Sequence, residues 1–238
     1  MSEDSKTKTY PPSAEASANA HISSLEQYCE LYDRSINDPE GFWTEHAERL
    51  HWFKKWNTLR EWDYHKAEIQ WFIGGKLNAC YNCVDRHVDD GQGDDTALIW
   101  EGNDPNESRT YTYAQLQVEV QKAANALKDL GIEKGDRVCI YMQMIPELAI
   151  AVLACARIGA IHSVVFGAFA PDSLEARIND SECKVLITQD TGVRGTKDDI
   201  PMKSNADIAV KKTPSIEHIL VVKRTGSSIS MEENRDVW

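Results

Sequence analysis

The chain has 238 residues, of which 26 are basic and 38 acidic for a net charge of -12, and 42% of its side chains are hydrophobic. That length and apolar share exclude an intrinsically disordered chain and a mini-protein held by disulfides or metal, because there is ample chain to bury a core. The acidic excess excludes a general binder of nucleic acid or of an anionic membrane, since both need a basic field.

Residues 1–20 are rich in Ser, Ala, Thr and Pro with Tyr10 as the one large apolar group, and they read as a flexible leader with no secretory apolar core. Helical spacing begins next, with Leu25, Tyr28, Cys29, Tyr32 and Ile36 on one face and Ser24 and Gln27 placed as a capping box. Asp38-Pro39 reads as a cap and first-turn proline for a second helix carrying Phe42, Trp43, Ala47 and Leu50. Trp43, Trp52, Trp56, Trp62 and Trp71 crowd the following stretch without a regular period. This suits a lead-in anchored by large side chains; a nucleic-acid stacking surface would need basic residues interleaved with them.

From about residue 95 strands and helices alternate. A hairpin is predicted over 97–100 and 109–113, then a helix capped by Thr112 and Gln115 with Leu116, Val120, Ala123, Ala124, Leu127 and Leu130 on its apolar side, closed by Gly131. Residues 137–142 read as a buried strand, Pro146 to Gly159 as a helix and 161–166 as the next strand. A helix from 172 or 173 to about 179 and strands over 184–188 and 218–222 complete the pattern. The expected fold class is α/β: a helical, Trp-rich lead-in over 21–90, then over 91–238 a mainly parallel sheet flanked by helices, with strands buried on both sides. The most hydrophobic stretch, 145–170, contains Glu147, Arg157 and His162 and cannot span a bilayer as one apolar segment.

Short chemical motifs are mostly absent. No G-x-x-x-x-G-K-[ST], G-x-S-x-G or H-E-x-x-H occurs, and Gly91-Gln92-Gly93 is a turn rather than a dinucleotide fingerprint. Cys80 and Cys83, with His87 behind them, lack the second ligand pair of a closed zinc site and are read as packing residues. The six cysteines, several inside apolar runs, read as reduced, buried thiols of a cytoplasmic protein. His162 is read as a hydrogen-bonded core residue. No catalytic residue and no metal ligand is assigned. The segment 191–197 follows a strand, where α/β sheets place ligand loops, and carries Arg194 and Lys197 on a glycine-flexed turn suited to clamping a phosphate; a plain solvated loop is the competing reading. Phe166, Gly167 and Ala168 also follow a strand, where small residues let a ligand approach the backbone.

Longer stretches carry a resemblance: WFIGGKLN at 71–78, NCVDRH at 82–87, MIPELA at 144–149, ACARIGA at 154–160 and HSVVFG at 162–167. Together they closely resemble the acetyl-CoA synthetase family, AMP-forming acid-CoA ligases of the adenylate-forming superfamily, and the likeness runs in order over nearly all of residues 10–238. The resemblance implies acetate activation with ATP, CoA and Mg2+, through an acetyl-adenylate, among small-molecule substrates and with neither nucleic acid nor membrane as partner. It also implies that Arg194, Gly195, Thr196 and Lys197 match the loop that holds the nucleotide end of CoA, and that Phe166, Gly167 and Ala168 line the same site. Ala168 and Thr196 stand where family members often carry glycine.

The family's Ser/Thr/Gly-rich phosphate loop ending in Lys-Gly, its adenine and ribose segments, its hinge and its carboxy-terminal lid have no counterpart in this sequence. The resemblance is therefore to an amino-terminal portion, expected to be inactive by itself. A CoA-binding or synthetase-docking module, and a propionyl-CoA synthetase, are the alternatives.

Overall fold

The computed structural model describes residues 10–238 and divides into two compact units, 10–50 with 54–75 and 51–53 with 76–238. Residues 1–9 of the expected leader lie outside the described residues. Its remainder is not wholly irregular, because α1 (Ala14–Ala18) forms one short turn of helix on a Ser13 cap.

In the first unit, α2 (Leu25–Asn37) starts at Ser24, whose hydroxyl accepts the Gln27 N–H; Gln27 reaches back to the Ser23 N–H instead of closing the box on Ser24. Leu25, Tyr28, Tyr32 and Ile36 share one face, as the spacing predicts, and that face is exposed. Asp38 caps α3 (Pro39–Ala47) through the Gly41 N–H, and Arg34 joins the two helices by an ion pair to Glu45. Beyond Trp43, which lies in α3, the tryptophan-rich stretch is not helical. It forms an antiparallel pair, β1 (Thr58–Asp63) and β2 (Glu68–Ile73), turned by a 3-10 segment over Tyr64–Lys66 that Asp63 caps. The aromatics pack on one another here, Trp43 edge-on to Trp71 and Trp56 edge-on to Phe72, and the Arg60 guanidinium lies over both Trp62 and Trp71.

The second unit opens with a π-helical turn, Tyr81–Asp85, running into α4 (Arg86–Asp89). Cys80 is buried there, whereas Cys83 is exposed on the same turn, so packing accounts for one of the pair only; Cys29 is likewise exposed. Among the described residues all six cysteines are free. Asn78 ties this segment to a helix far along the chain, donating through Nδ2 to the Ala156 and Arg157 carbonyls (3.0 and 3.1 Å) and accepting the Tyr81 N–H at Oδ1. Asp85 does the same from the other end, taking a hydrogen bond from Gln117 and an ion pair from Arg157 at 2.6 Å. Replacing Asn78 by alanine takes a donor from each of these helix-terminal carbonyls, of which Ala156 keeps the Gly159 N–H, and is expected to cost about 1–2 kcal/mol in urea unfolding.

β3 (Thr96–Glu101) and β4 (Ser108–Thr112) form the predicted hairpin, and Thr112 with Gln115 closes a full capping box on α5 (Tyr113–Asp129). β5 (Arg137–Met142), α6 (Pro146–Ile158), β6 (Ile161–Phe166), α7 (Pro171–Ser181) and β7 (Val185–Gln189) follow. Two short strands come next, β8 (Gly192–Arg194) and β9 (Lys197–Ile200), then α8 (Met202–Val210), β10 (His218–Val222) and β11 (Asp236–Val237). The central sheet has the order β11-β10-β7-β5-β6, and every pairing in it is parallel.

Strand periodicity builds two layers on this sheet. Val138, Ile140 and Met142 of β5 meet α5 and α6 on one face; Cys139 and Tyr141 meet α7 and α8 on the other. β5 and β7 are accordingly buried along nearly their whole length. β6 departs from the expectation of strands buried on both sides. It lies at the sheet edge with Ile161, Val164 and Phe166 exposed, and His162 is exposed beside them, not in the core.

At the opposite edge, a charge cluster fastens the two-residue strand β11. Lys203, on the buried face of α8 and 1% exposed, reaches Asp207 at 2.7 Å, Asp236 at 2.8 Å and the Ser230 carbonyl. Arg235 bridges the same two carboxylates, each at 2.6 Å. Burial pushes the Asp236 carboxyl up, but Arg235 and Lys203 outweigh it and bring it down to about 2.

Candidate functional site at the carboxyl ends of the strands

In an open parallel sheet the loops leaving the carboxyl ends of the strands surround a crevice. Here residues 143–145 leave β5, 166–168 leave β6, the β8–β9 hairpin follows β7, and Arg224 follows β10; the end of β3 and the loop after it add Trp100 to Asn103. Together they line a cavity of about 550 Å3, within the usual range for a small-molecule site.

Its apolar side is built around Trp100. The indole N–H donates to the Met144 carbonyl at 2.7 Å, and two guanidiniums lie against the ring, Arg109 at 5.0 Å and Arg224 at 5.1 Å from its centroid. Each arginine is held by a bidentate carboxylate, Arg109 by Glu147 and Arg224 by Glu107. The Arg224 hydrogen bond outweighs partial burial and keeps the Glu107 carboxyl below its ordinary value.

Asp190 anchors the loop that carries Arg224. Fully buried at the end of β7, it accepts the N–H groups of Thr191, Arg224, Thr225 and Gly226 at 2.7–3.2 Å. Burial raises this carboxyl, and the four amides more than offset it, so the group stays below the usual carboxylate range.

Of the residues singled out in the sequence, Phe166, Gly167, Ala168 and Arg194 line the cavity. Gly167 allows close packing, because a Cβ there would stand 3.0 Å from the Met142 carbonyl oxygen. Gly195 and Thr196 form the hairpin turn just beyond the lining, and Lys197 pairs across it with Arg194. Gly195 has φ +61°, which a two-residue hairpin turn demands at its first central position. Arg194 and Lys197 are both exposed, and among the described residues neither enters a salt bridge. Sequence reasoning missed Trp100, Asn103, Gln143, Asp190 and Arg224. The one available signal was Gln189-Asp190, a polar pair closing an otherwise apolar strand.

Among the described residues, no three His, Cys, Asp or Glu side chains converge to hold a metal ion, and no helix is long and apolar enough to cross a membrane.

Comparison with known proteins agrees with this architecture. The chain is 53% identical over 236 residues to the acetyl-coenzyme A synthetase of Rubrobacter xylanophilus, covering 99% of this chain and 36% of that protein. Against the enzyme of Halorhodospira halophila it is 52% identical over 235 residues, with coverage of 98% and 36%. The chain thus spans about a third of the length of the curated relatives it matches. The solved acetoacetyl-CoA synthetase from Streptomyces lividans superposes with a TM-score of 0.79 at 22% identity, covering 94% of this chain and 36% of that one, and so shares the fold. The profile of the acetyl-coenzyme A synthetase N-terminus matches residues 28–83, and that of the AMP-binding enzymes matches residues 84–237. The chain belongs to the AMP-binding enzyme family.

Proposed function

We propose that this chain supplies the CoA-binding portion of an acid-CoA ligase that activates acetate. In that reaction the acetate carboxylate attacks the α-phosphate of ATP and pyrophosphate leaves. The CoA sulfur then attacks the acetyl-adenylate carbonyl and AMP leaves, giving acetyl-CoA. The observation that carries the reading is the meeting of Phe166, Gly167, Ala168 and Arg194 in one cavity at the carboxyl ends of the strands, with Lys197 one pairing away.

Two cations that enter no salt bridge among the described residues, set on a fixed turn, suit the phosphates of a nucleotide, and the small side chain of Ala168 lets an adenine approach the backbone. Arg194 offers a planar fork and Lys197 a point charge. ATP and its Mg2+ are assigned no residue here, because no carboxylate cluster fit for the ion is present among the described residues. The polypeptide by itself is proposed not to turn over, since its sequence contains no Lys-Gly phosphate loop. The working compartment is proposed to be the cytoplasm.

Calorimetric titration of the chain with CoA is expected to give micromolar binding that Arg194→Ala weakens by tenfold or more, the equivalent of about 1.4 kcal/mol for one lost charge-assisted contact. Binding indifferent to that substitution would remove Arg194 from the site. Acetate-dependent ATP–pyrophosphate exchange by the purified chain at an ordinary enzyme rate would refute the proposed inactivity.

A further inference from the structure

The β8–β9 hairpin is too short to hold its own shape, yet its backbone is closely specified. β8 pairs with β9 through Gly192 and Arg194, so the polar groups of Val193 and Gly195 point to the other edge, where no strand lies among the described residues. Two side-chain carboxamides occupy that edge. Gln143 accepts the Val193 N–H at 2.9 Å and donates to the Val193 carbonyl at 3.2 Å. Asn103 accepts the Gly195 N–H at 2.9 Å and donates to the Gly195 carbonyl at 2.6 Å. A carboxamide presents a donor and an acceptor in one plane, as a peptide unit does, so the pair reproduces two rungs of a neighbouring strand.

We infer that Asn103 and Gln143 are positioning residues that clamp the hairpin backbone and so fix where Arg194 and Lys197 stand. The ligand side of this inference rests on the CoA-site reading above.

The clamp is itself supported. The Gln143 N–H donates to Gln189 Oε1 at 2.9 Å, and fully buried Gln189 donates through Nε2 to the Thr191 carbonyl at 2.8 Å, linking the clamp to the end of β7. Gly192 leaves room for it, because a Cβ there would lie 2.6 Å from Gln143 Oε1. Asn103 and Gln143 also line the cavity, so they stand between it and the turn. A turn fixed before the ligand arrives loses less freedom on binding, which raises affinity without a new contact.

Amide exchange of the labelled chain, read by NMR, together with CoA titration tests this directly. Asn103→Ala is expected to speed exchange at Gly195 about tenfold and leave Val193 unchanged; Gln143→Ala does the reverse. Each weakens CoA binding about tenfold while the urea midpoint stays within error of the unsubstituted chain. Asn103→Asp keeps an acceptor for the Gly195 N–H and loses only the donor to its carbonyl, so it is expected to speed exchange less than Asn103→Ala, and Gly192→Ala, which evicts the carboxamide, matches Gln143→Ala. Unchanged exchange overturns the clamp. Faster exchange with unaltered CoA affinity, or an affinity loss that tracks a fall in the urea midpoint, overturns the positioning role. Absence of any CoA binding by the unsubstituted chain instead defeats the CoA-site reading and takes the positioning role with it, while the exchange rates still decide the clamp.

Discussion

Lys203→Met is expected to destabilise the chain by about 3 kcal/mol in urea unfolding, because it leaves two carboxylates sharing Arg235 beneath the sheet edge. Asp236 is the group most affected, its side chain being 0% exposed, and it cannot turn to water for the lost ammonium. Replacing both partners tests whether the charge or the packing matters. Lys203→Met with Asp236→Leu removes one cation and one anion, leaves Asp207 paired with Arg235, and is expected to recover most of the loss. A double variant as weak as the sum of the singles would show that the two side chains act independently. The same network sets an acid limit. A carboxyl held near 2 in the fold and near 4 in the unfolded chain contributes stability that is complete above pH 4 and is lost as the pH falls from about 4 to about 2. Asp236→Asn should flatten stability across that interval.

Asp190→Ala is expected to cost about 3–5 kcal/mol, since it orphans four N–H groups that donate to one buried anion. Its second effect is local. Three of the four donors belong to residues 224–226, so the loop after β10 should loosen and Arg224 should leave Trp100 and Glu107. Tryptophan fluorescence quenching and exchange at Thr225 and Gly226 would report this. Asp190→Asn keeps the shape and one acceptor, and should cost roughly half as much. Because the Asp190 carboxyl is held low, its contribution is present above the ordinary carboxylate range and fades as the pH drops below it. An alanine variant as stable as the parent would show that water satisfies these amides.

The elements legible in the sequence were those whose own residues carry the signal. β5 and β6 read as apolar runs, α5 as a capped amphipathic helix, and α6 as a segment bounded by Pro146 and Gly159, whose φ is +77°. The family resemblance rested on equally contiguous stretches. α8 was missed because its buried face presents Lys203 between Met202 and Ala206, and a charge at a core position breaks the apolar period. β1 and β2 fall within the segment expected to be helical, because their aromatics obscure the alternation of Thr58–Asp63. β8 and β9 are short and polar, and they are held in part by Asn103 and Gln143, distant in the chain. The cavity was half legible for the same reason. Phe166–Ala168 and Arg194 follow recognisable strands, whereas Trp100 and Arg224 become neighbours only once the sheet is assembled.

The strand order β11-β10-β7-β5-β6 also bears on how fast the chain reaches its native state. No two neighbours in that sheet are joined by a tight turn; every pairing waits for a crossover to close, and β5 must meet β7 with α6, β6 and α7 lying between them. Loop-closure entropy is therefore spent before the central contacts form, so refolding should be slow and its transient species should expose apolar strand edges. The Asn78 and Asp85 links to α6 join residues more than 70 positions apart, which makes them late events whose substitution speeds unfolding more than it slows folding.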